Sequence, residues 1–189
     1  MDITITQSFE RQDLLDILNV QKQNLKSALS AEEARAEGFI TVPHTIELLE
    51  QLNDPYPHTI AKDKDKLAGY AMVMLKTLRD AMPVLVPMFD EIDGCIVDGQ
   101  ALADVNYFAM GQVCIAKGYR GQGLFQRMYD DLCTRMSAHC DYIATEIAAD
   151  NHRSQKAHAN YGFATLKSYV ADGVEWLIVG REIQSFRNQ

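Results

Sequence analysis

The order of apolar and polar positions predicts a succession of strands and helices along most of the chain. Residues 3–6 alternate as a strand does, and residues 12–29 repeat apolar positions at helical spacing. Ser30 and Glu33 have the spacing of a capping box, which predicts that a second helix starts there. The remaining pattern predicts helix 45–52, strands 58–62 and 67–75, a short helix near 84–92, strand 108–115, a helix after residue 123, strand 142–147, helix 151–161, and strands 164–169 and 174–182. This mixture predicts an α/β (α+β) fold in which helices flank one twisted, mostly antiparallel sheet.

The continuity of this pattern favours one domain. No repeat, low-complexity tract or long linker divides the 189 residues, and that length suits one domain with a sizeable core. Residues 77–104 give the weakest pattern, so their structure stays open apart from the short helix. We therefore expect a single domain over residues 1–189.

Charge and hydropathy narrow the classes of function. The net charge of −8 argues against a nucleic-acid partner, because such proteins present basic surfaces to phosphates. No apolar run reaches the roughly 20 residues that span a bilayer. The segment Met1-Asp2-Ile3-Thr4 also lacks the basic start and apolar stretch of a secretory signal. We expect a cytoplasmic protein without nucleic-acid or membrane partners, whose acidity weakly favours a cationic substrate such as an amine.

The cysteines and histidines form no recognisable metal motif. The four cysteines lack paired ligand spacing, and the five histidines lack a zinc-type pattern. Cys114 lies in an apolar strand-like run and Cys133 in a helix-like run. We therefore expect buried, reduced thiols in preference to catalytic ones, and no metal.

A glycine-bearing loop between a strand and an amphipathic helix is the strongest candidate for a binding site. In Arg120-Gly121-Gln122-Gly123, glycines allow a ligand to approach the main chain, and the following helix offers unpaired N–H groups to an anion. The loop is not a P-loop, because Leu124-Phe125 replaces the Lys-Ser/Thr pair, and no third glycine completes a dinucleotide fingerprint. The helix carries apolar residues at three-and-four spacing: Phe125, Met128, Tyr129, Leu132 and Met136. A surface turn with a helix cap is the plainer alternative.

Two segments together resemble the GNAT superfamily of acyl-CoA-dependent N-acyltransferases. The family signature is Gln/Arg-x-x-Gly-x-Gly/Ala, with a branched apolar residue five positions before the arginine. Here the run from Arg120 to Phe125 follows Ile115 at that spacing. A second family element is an asparagine followed by a helix that ends in Gly-Phe, matched by Asn151 through Tyr161-Gly162-Phe163. The match is good from about Tyr107 to Tyr169 and extends to the N-terminal half only by the order of elements.

The resemblance implies a fold and a set of cofactor-binding residues. Two central strands of a sheet of about seven would splay apart and form the coenzyme A cleft. The backbone of Val113 and Ile115 would hydrogen-bond the pantetheine arm, and Asn151 and Ser154 would lie along the pantetheine and adenine. Backbone N–H groups would surround the pyrophosphate, from the residues Arg120, Gly121, Gln122, Gly123, Leu124 and Phe125.

The resemblance also implies a reaction. An amine would attack the thioester of acetyl-CoA directly, without an acyl-enzyme and without a metal. The acceptor would be a small-molecule or peptide amine, bound largely by residues 24–54 and 77–106, and its identity and a homodimeric state stay open. Two alternatives remain: a non-catalytic GNAT-like module that binds coenzyme A or a partner, and an unrelated phosphate-binding domain.

Three positions decide how the chemistry would work. Phe125 stands where the family prefers Gly or Ala, so its ring must pack towards the core or crowd the phosphates. His158 replaces the tyrosine that protonates the departing thiolate in many members, and a histidine either donates a proton or only bonds a backbone carbonyl. Glu146 is the candidate base or amine-binding group if partial burial raises its pKa, and otherwise an ordinary strand residue. Asn106 and Tyr107 are lesser candidates for substrate contact.

Overall fold

The structure, a computed structural model, describes residues 2–188, so only the two ends of the predicted domain lie outside the described residues. The strands are β1 Ile3–Gln7, β2 Thr59–Asp63, β3 Lys66–Leu75, β4 Ile96–Val97, β5 Gln100–Ala101, β6 Tyr107–Ile115, β7 Tyr142–Ala148, β8 Ala164–Ala171 and β9 Val174–Glu182. The α-helices are α1 Arg11–Asn24, α2 Ala31–Glu37, α3 Ile46–Asn53, α4 Val86–Asp93, α5 Leu124–Met136 and α6 His152–Asn160.

Seven of these strands form one mixed sheet in the order β1-β2-β3-β6-β7-β9-β8, and β4 and β5 pair separately. The pairs β1–β2, β2–β3, β7–β9 and β8–β9 are antiparallel, whereas β6–β7 is parallel. The predicted class, a mixed and mostly antiparallel seven-stranded sheet flanked by helices, is confirmed.

The chain folds into two compact units that alternate along the sequence. Unit 1 takes in the chain up to Ala34, Phe39–Val73 and Gly111–Leu132. Its core contains the fully buried side chains of Ile17, Leu49, Leu52, Ile60, Tyr70, Met72 and Tyr129. Unit 2 takes in Arg35–Gly38, Met74–Met110 and the chain from Cys133 onward. Its core contains Met74, Phe89, Ile92, Leu102, Phe108, Ile143 and Ile178. The expectation of a single domain over residues 1–189 stays a prediction.

One predicted helix, over residues 12–29, is wrong at its C-terminal end. Helix α1 stops at Asn24, Leu25 is extended (φ −62°, ψ 140°), and a short 3₁₀ turn follows. The break is made by pairing with a distant segment, since Ile40 N donates to Asn24 O and Lys26 N donates to Ile40 O, both at 2.9 Å. Helical periodicity carries no information about such a partner.

The weakly patterned stretch 77–104 contains elements that the sequence did not predict. The short helix near 84–92 is found as α4, and the β4–β5 hairpin turns through Asp98 and Gly99, both with positive φ. Strands of two residues are too short for the alternation that predicts longer strands. The capping box of α2 is confirmed, because Ser30 N donates to Glu33 Oε2 at 3.0 Å and Glu33 N donates to Ser30 Oγ at 3.2 Å.

The parallel pairing of β6 with β7 is short. It covers Tyr107↔Tyr142 to Ala109↔Ala144. At the next position a side chain makes the link, because the buried Thr145 Oγ1 donates to the Met110 carbonyl at 2.9 Å. Strand β7 continues in register with β9 as far as Ala148↔Trp176.

Candidate functional site

The loop after β6 has an open backbone. Gly121 and Gly123 have φ of 74° and 72°, in the left-handed region that favours glycine, and a Cβ built on either would meet no other atom within 4 Å. The Gly123 carbonyl accepts from Arg127 N at 3.2 Å, so α5 begins immediately after the loop. The N–H groups in the first turn of a helix have no partner within the helix. The loop and this helix start together fit a phosphate group.

Arg120 is held within the protein. Its Nε donates to the Ile115 carbonyl at 3.1 Å, and its Nη2 donates to Asn24 Oδ1 at 2.7 Å. The first bond links the loop to the end of β6, and the second links it to the last turn of α1. A direct bond from the Arg120 guanidinium to phosphate stays a prediction.

Phe125 packs against its own helix. Its ring stacks on that of Tyr129, with ring centroids 4.5 Å apart and an angle of 25° between the planes. Leu124 is buried, and Val113 and Ile115 are half-buried on β6. The predicted apolar face of α5 is confirmed at Met128, Tyr129, Leu132 and Met136, all fully buried. The Phe125 ring therefore packs against the protein, which is the first of the two alternatives that the sequence left open.

In unit 2, Glu146 on β7 is bonded by a tyrosine. Tyr169 on β8 donates its hydroxyl to Glu146 Oε2 at 2.5 Å. Burial raises the pKa of the Glu146 carboxyl, and the bond from Tyr169 partly offsets that rise. Burial and the nearby carboxylate raise the pKa of Tyr169 as well, so its hydroxyl stays protonated and serves as the hydrogen-bond donor. The site thus holds a half-buried carboxylate with a higher proton affinity than usual.

Three predicted residues, Asn151, Ser154 and His158, lie at or in helix α6. Their groups make hydrogen bonds to one another. Asn151 is the N-cap of α6, with a side chain that accepts from Ser154 N at 3.3 Å. His158 is 2% exposed and its Nδ1 lies 2.8 Å from the Ser154 carbonyl, which accepts the ring proton. Its ring packs edge-on against Phe163, with centroids 5.1 Å apart. Burial lowers the pKa of His158 to about 4, although the carbonyl bond acts in the opposite direction.

The geometry does not favour an imidazolium at position 158. A ring with a pKa of about 4 is neutral near pH 7. The observed bond also matches the plainer of the two alternatives raised by the sequence, a helical histidine that bonds a backbone carbonyl. The role of His158 as proton donor to the leaving group stays a prediction.

All four cysteines are free and buried, as predicted. Burial raises the pKa of Cys114 to about 12, although Arg120 acts to lower it. The thiolate, which is the nucleophilic form, is therefore not populated near neutral pH. Among residues 2–188, no group of three or more histidine, cysteine, aspartate or glutamate side chains is placed to hold a metal ion. No helix in the same range is both long and apolar enough to cross a membrane.

Sequence reasoning missed several polar residues next to the predicted ones. Tyr169 has no local signal, because its partner Glu146 is 23 residues away. Gln21 and Asn24 did carry a signal. They share the buried face of α1 with Leu14 and Ile17, and a polar residue on such a face needs a hydrogen-bond partner.

Comparison with known proteins agrees with the family resemblance found in the sequence. The profile of the Acetyltransferase (GNAT) family matches residues 13–163. A search of curated protein sequences returned no match.

Similar solved structures are numerous. The ribosomal-protein-S18-alanine N-acetyltransferase from Escherichia coli is 13% identical, with a TM-score of 0.62 over 96% of this chain and 94% of that chain. The structure of yncA from Salmonella typhimurium with its cofactor acetyl-CoA gives the same identity, TM-score and two coverages. The NatC complex bound to a Gag peptide and CoA is 15% identical, with a TM-score of 0.65 over 96% of this chain and 99% of that chain. At these identities, the likeness establishes the fold.

Proposed function

Since the chain belongs to the Acetyltransferase (GNAT) family, we propose that it transfers the acetyl group of acetyl-CoA to the primary amine of an acceptor. The observation that carries the proposal is the loop from Arg120 to Gly123. Its two glycines are left-handed with open space above them, and it leads directly into α5. This arrangement suits the pyrophosphate of coenzyme A, whose charge the first N–H groups of the helix would stabilise.

The cofactor contacts follow from this placement. The N–H groups of residues 121–125 would donate to the pyrophosphate, with Arg120 holding the loop and adding positive charge. The backbone of Val113 and Ile115 would bond the pantetheine arm. Asn151 and Ser154 are proposed, by the family resemblance, to lie along the pantetheine and adenine. The side chain of Asn151 also caps α6, so it holds the start of this helix in place.

We assign the general-base role to Glu146. The neutral amine attacks the thioester carbonyl, a C–N bond forms, and the C–S bond breaks as coenzyme A leaves as a thiolate. Glu146 takes the proton that the amine nitrogen loses, directly or through a water. A raised pKa improves a carboxylate as a base, because the transfer from a cationic nitrogen becomes less unfavourable. Tyr169 holds the carboxylate in one orientation through its hydroxyl.

The thiolate then needs a proton. His158 stands where the family resemblance places that donor, although its low pKa and its bond to the Ser154 carbonyl support a structural role more than a chemical one. A thiolate whose thiol has a pKa of roughly 8.5 also takes a proton from water at neutral pH. Acid catalysis at this step is therefore not essential to the proposal.

The test is a screen of acceptor amines with acetyl-CoA, followed by release of free thiol. The panel contains amino acids, polyamines, aminoglycosides and peptide N-termini, with coenzyme A binding measured in parallel by calorimetry. We expect binding of coenzyme A and turnover with at least one amine class. Tight binding without turnover for every class would support the non-catalytic module. Nucleotide binding without a preference for coenzyme A would support an unrelated phosphate-binding domain.

A further inference from the structure

Helix α1 presents two buried amides, Gln21 and Asn24, one helical turn apart. Each is 2% exposed. Burying an amide without hydrogen-bond partners costs free energy. The partners of these two side chains therefore identify the segment that this face of the helix positions. Both amides bond to residues in the segment from Gln112 to Arg120. This segment contains the end of β6 and the first residue of the loop Arg120–Gly123, called the phosphate loop below for its proposed role.

At the first amide, Gln112 is the centre of a network. Its Nε2 donates to the Val42 carbonyl at 3.1 Å. Its Oε1 accepts from Gln21 Nε2 at 2.7 Å and from the Tyr70 hydroxyl at 2.6 Å. A backbone carbonyl can only accept, so the bond to Val42 determines which way the Gln112 amide faces. The same logic then requires Gln21 to present its NH₂ group to Gln112.

The other side of Gln21 is fixed by His44. The backbone N–H of His44 donates to Gln21 Oε1 at 2.8 Å, and a backbone N–H can only donate. The Gln21 NH₂ group also lies 2.6 Å from His44 Nδ1, which must therefore accept. Burial lowers the pKa of His44 to about 4, in agreement with a neutral ring that carries its proton on Nε2. The Val42 carbonyl at one end and the His44 N–H at the other thus allow only one set of amide orientations in the network.

At the second amide, Asn24 bonds both its own helix and the loop. Its Nδ2 donates to the Val20 carbonyl at 2.8 Å. Its Oδ1 accepts from Arg120 Nη2 at 2.7 Å, while Arg120 Nε donates to the Ile115 carbonyl at 3.1 Å. The guanidinium therefore links the last turn of α1 to the last residue of β6. A charged donor makes the bond to Asn24 one of the stronger kinds of hydrogen bond.

We propose that Gln21 and Asn24 are positioning residues for coenzyme A. One turn of α1 holds the segment from Gln112 to Arg120 at both ends, and so fixes the phosphate loop relative to the strand that would bind the pantetheine arm. A loop with two left-handed glycines is otherwise free to adopt many conformations, and ordering it on binding would weaken affinity. This inference rests on the proposed function of the loop as the coenzyme A site.

The first test compares two asparagine substitutions on α1. Asn24→Ala removes the bond to Arg120, whereas Asn19→Ala changes an exposed asparagine of the same helix. Calorimetry with coenzyme A should give a dissociation constant up to about tenfold higher for Asn24→Ala, because a loop released from Arg120 must be ordered again on binding, at a cost bounded by the energy of the lost bond. The constant for Asn19→Ala should stay within about twofold of the parent. An unchanged constant in a folded Asn24→Ala protein would overturn the proposal.

A double-mutant cycle separates positioning from a general loss of structure. If Asn24 acts through Arg120, then adding Asn24→Ala to an Arg120→Ala protein should raise the dissociation constant by less than about twofold. A full tenfold effect in that background would show that Asn24 acts by another route, and would contradict the inference. The parent supplies the reference: a parent that binds no coenzyme A contradicts the proposed function itself.

The Gln21 end provides a second variant if Asn24→Ala does not fold. Gln21→Met keeps the length of the side chain and removes the bonds to Gln112 and His44. Gln12→Met makes the same change at an exposed position of the helix, where the side chain bonds Asp16. We expect coenzyme A affinity to fall several-fold in Gln21→Met and to stay within about twofold in Gln12→Met. Equal affinities in the two variants would contradict the positioning role at this end.

Discussion

The loop from Arg120 to Gly123, for which we propose phosphate binding, and helix α6 present opposite kinds of surface. In the loop, Gly121 and Gly123 are exposed and leave open space where a side chain would otherwise stand. In α6, the side chains of Asn151 and His158 are buried and bonded within the helix. A ligand at the loop would be bound through the main chain, whereas a ligand at α6 would depend on side chains. Burial and existing hydrogen bonds restrict what those side chains can do.

Burial also separates the two candidate catalytic residues of unit 2. It raises the pKa of Glu146 and lowers that of His158, because burial disfavours whichever form is charged. A general base gains from a raised pKa, whereas a general acid loses its proton at neutral pH when its pKa falls to about 4. The same physical effect thus supports the role assigned to Glu146 and weakens that predicted for His158.

The largest effect is expected for Glu146→Gln. The amide cannot take a proton from the attacking amine, so kcat should fall by about 10²-fold or more, while coenzyme A affinity stays within about twofold. Steady-state kinetics with the amine identified by the screen measures the first value and calorimetry the second. A Glu146→Gln enzyme with parental kcat would show that Glu146 is not the general base. The proposed role of the loop would be unaffected.

A smaller effect is expected for Gly123→Val. A branched side chain would be strained at a φ of 72° and would fill the open space, so coenzyme A should bind at least about tenfold more weakly. Gly173→Val is the matched control, since Gly173 is also left-handed with open space but lies in the turn between β8 and β9. Similar affinities in two folded variants would mean that the loop does not bind the cofactor.

Tyr169→Phe should change the pH profile more than the maximum rate. The bond from Tyr169 lowers the pKa of Glu146, so its loss should raise that pKa and move the acidic limb of kcat to higher pH. The rate on the plateau should fall only about threefold, as for one hydrogen bond. Tyr119→Phe, which removes a hydroxyl bonded to Asp63, should leave the limb in place. If the acidic limb of kcat moves in neither variant, Tyr169 does not affect the pKa of the general base.

The smallest effect on turnover is expected for His158→Phe. Because the folded pKa is about 4, His158 should not set the alkaline limb, which should persist with kcat within about threefold of the parent. Loss of that limb, with a fall of about 10²-fold in single-turnover rate, would restore the acid role and break the comparison.

The same variant should alter stability at low pH. Unfolded His158 takes up a proton near pH 6.5 but the folded ring does so only near 4, so the parent loses stability as pH falls through this window. Between pH 6.5 and 5 the free energy of unfolding of the parent should fall by about 1.5 kcal/mol more than that of His158→Phe. Urea unfolding at the two pH values measures the difference. Parallel pH dependences would mean that His158 titrates normally when folded.

Local patterns predicted much of the fold, including the loop and helix that carry the candidate site. The Arg-Gly-x-Gly loop and the apolar face of α5 are both encoded within a few residues, and both were found. The burial of Cys114 also followed from its strand alone. Features made by distant partners were missed: the end of α1 at Asn24, set by pairing with Ile40, and the bond between Tyr169 and Glu146. These depend on tertiary contacts that periodicity does not record.

The short parallel contact between β6 and β7 has a consequence for the order of folding. Strands β8 and β9 are joined by a turn at Asp172-Gly173 and can pair locally, whereas residues 107–109 must meet residues 142–144 across more than thirty residues. Closing that loop costs entropy before three residue pairs form. We therefore expect the β8–β9 hairpin to form early and the β6–β7 contact late, with the Thr145 hydroxyl among the last bonds to close.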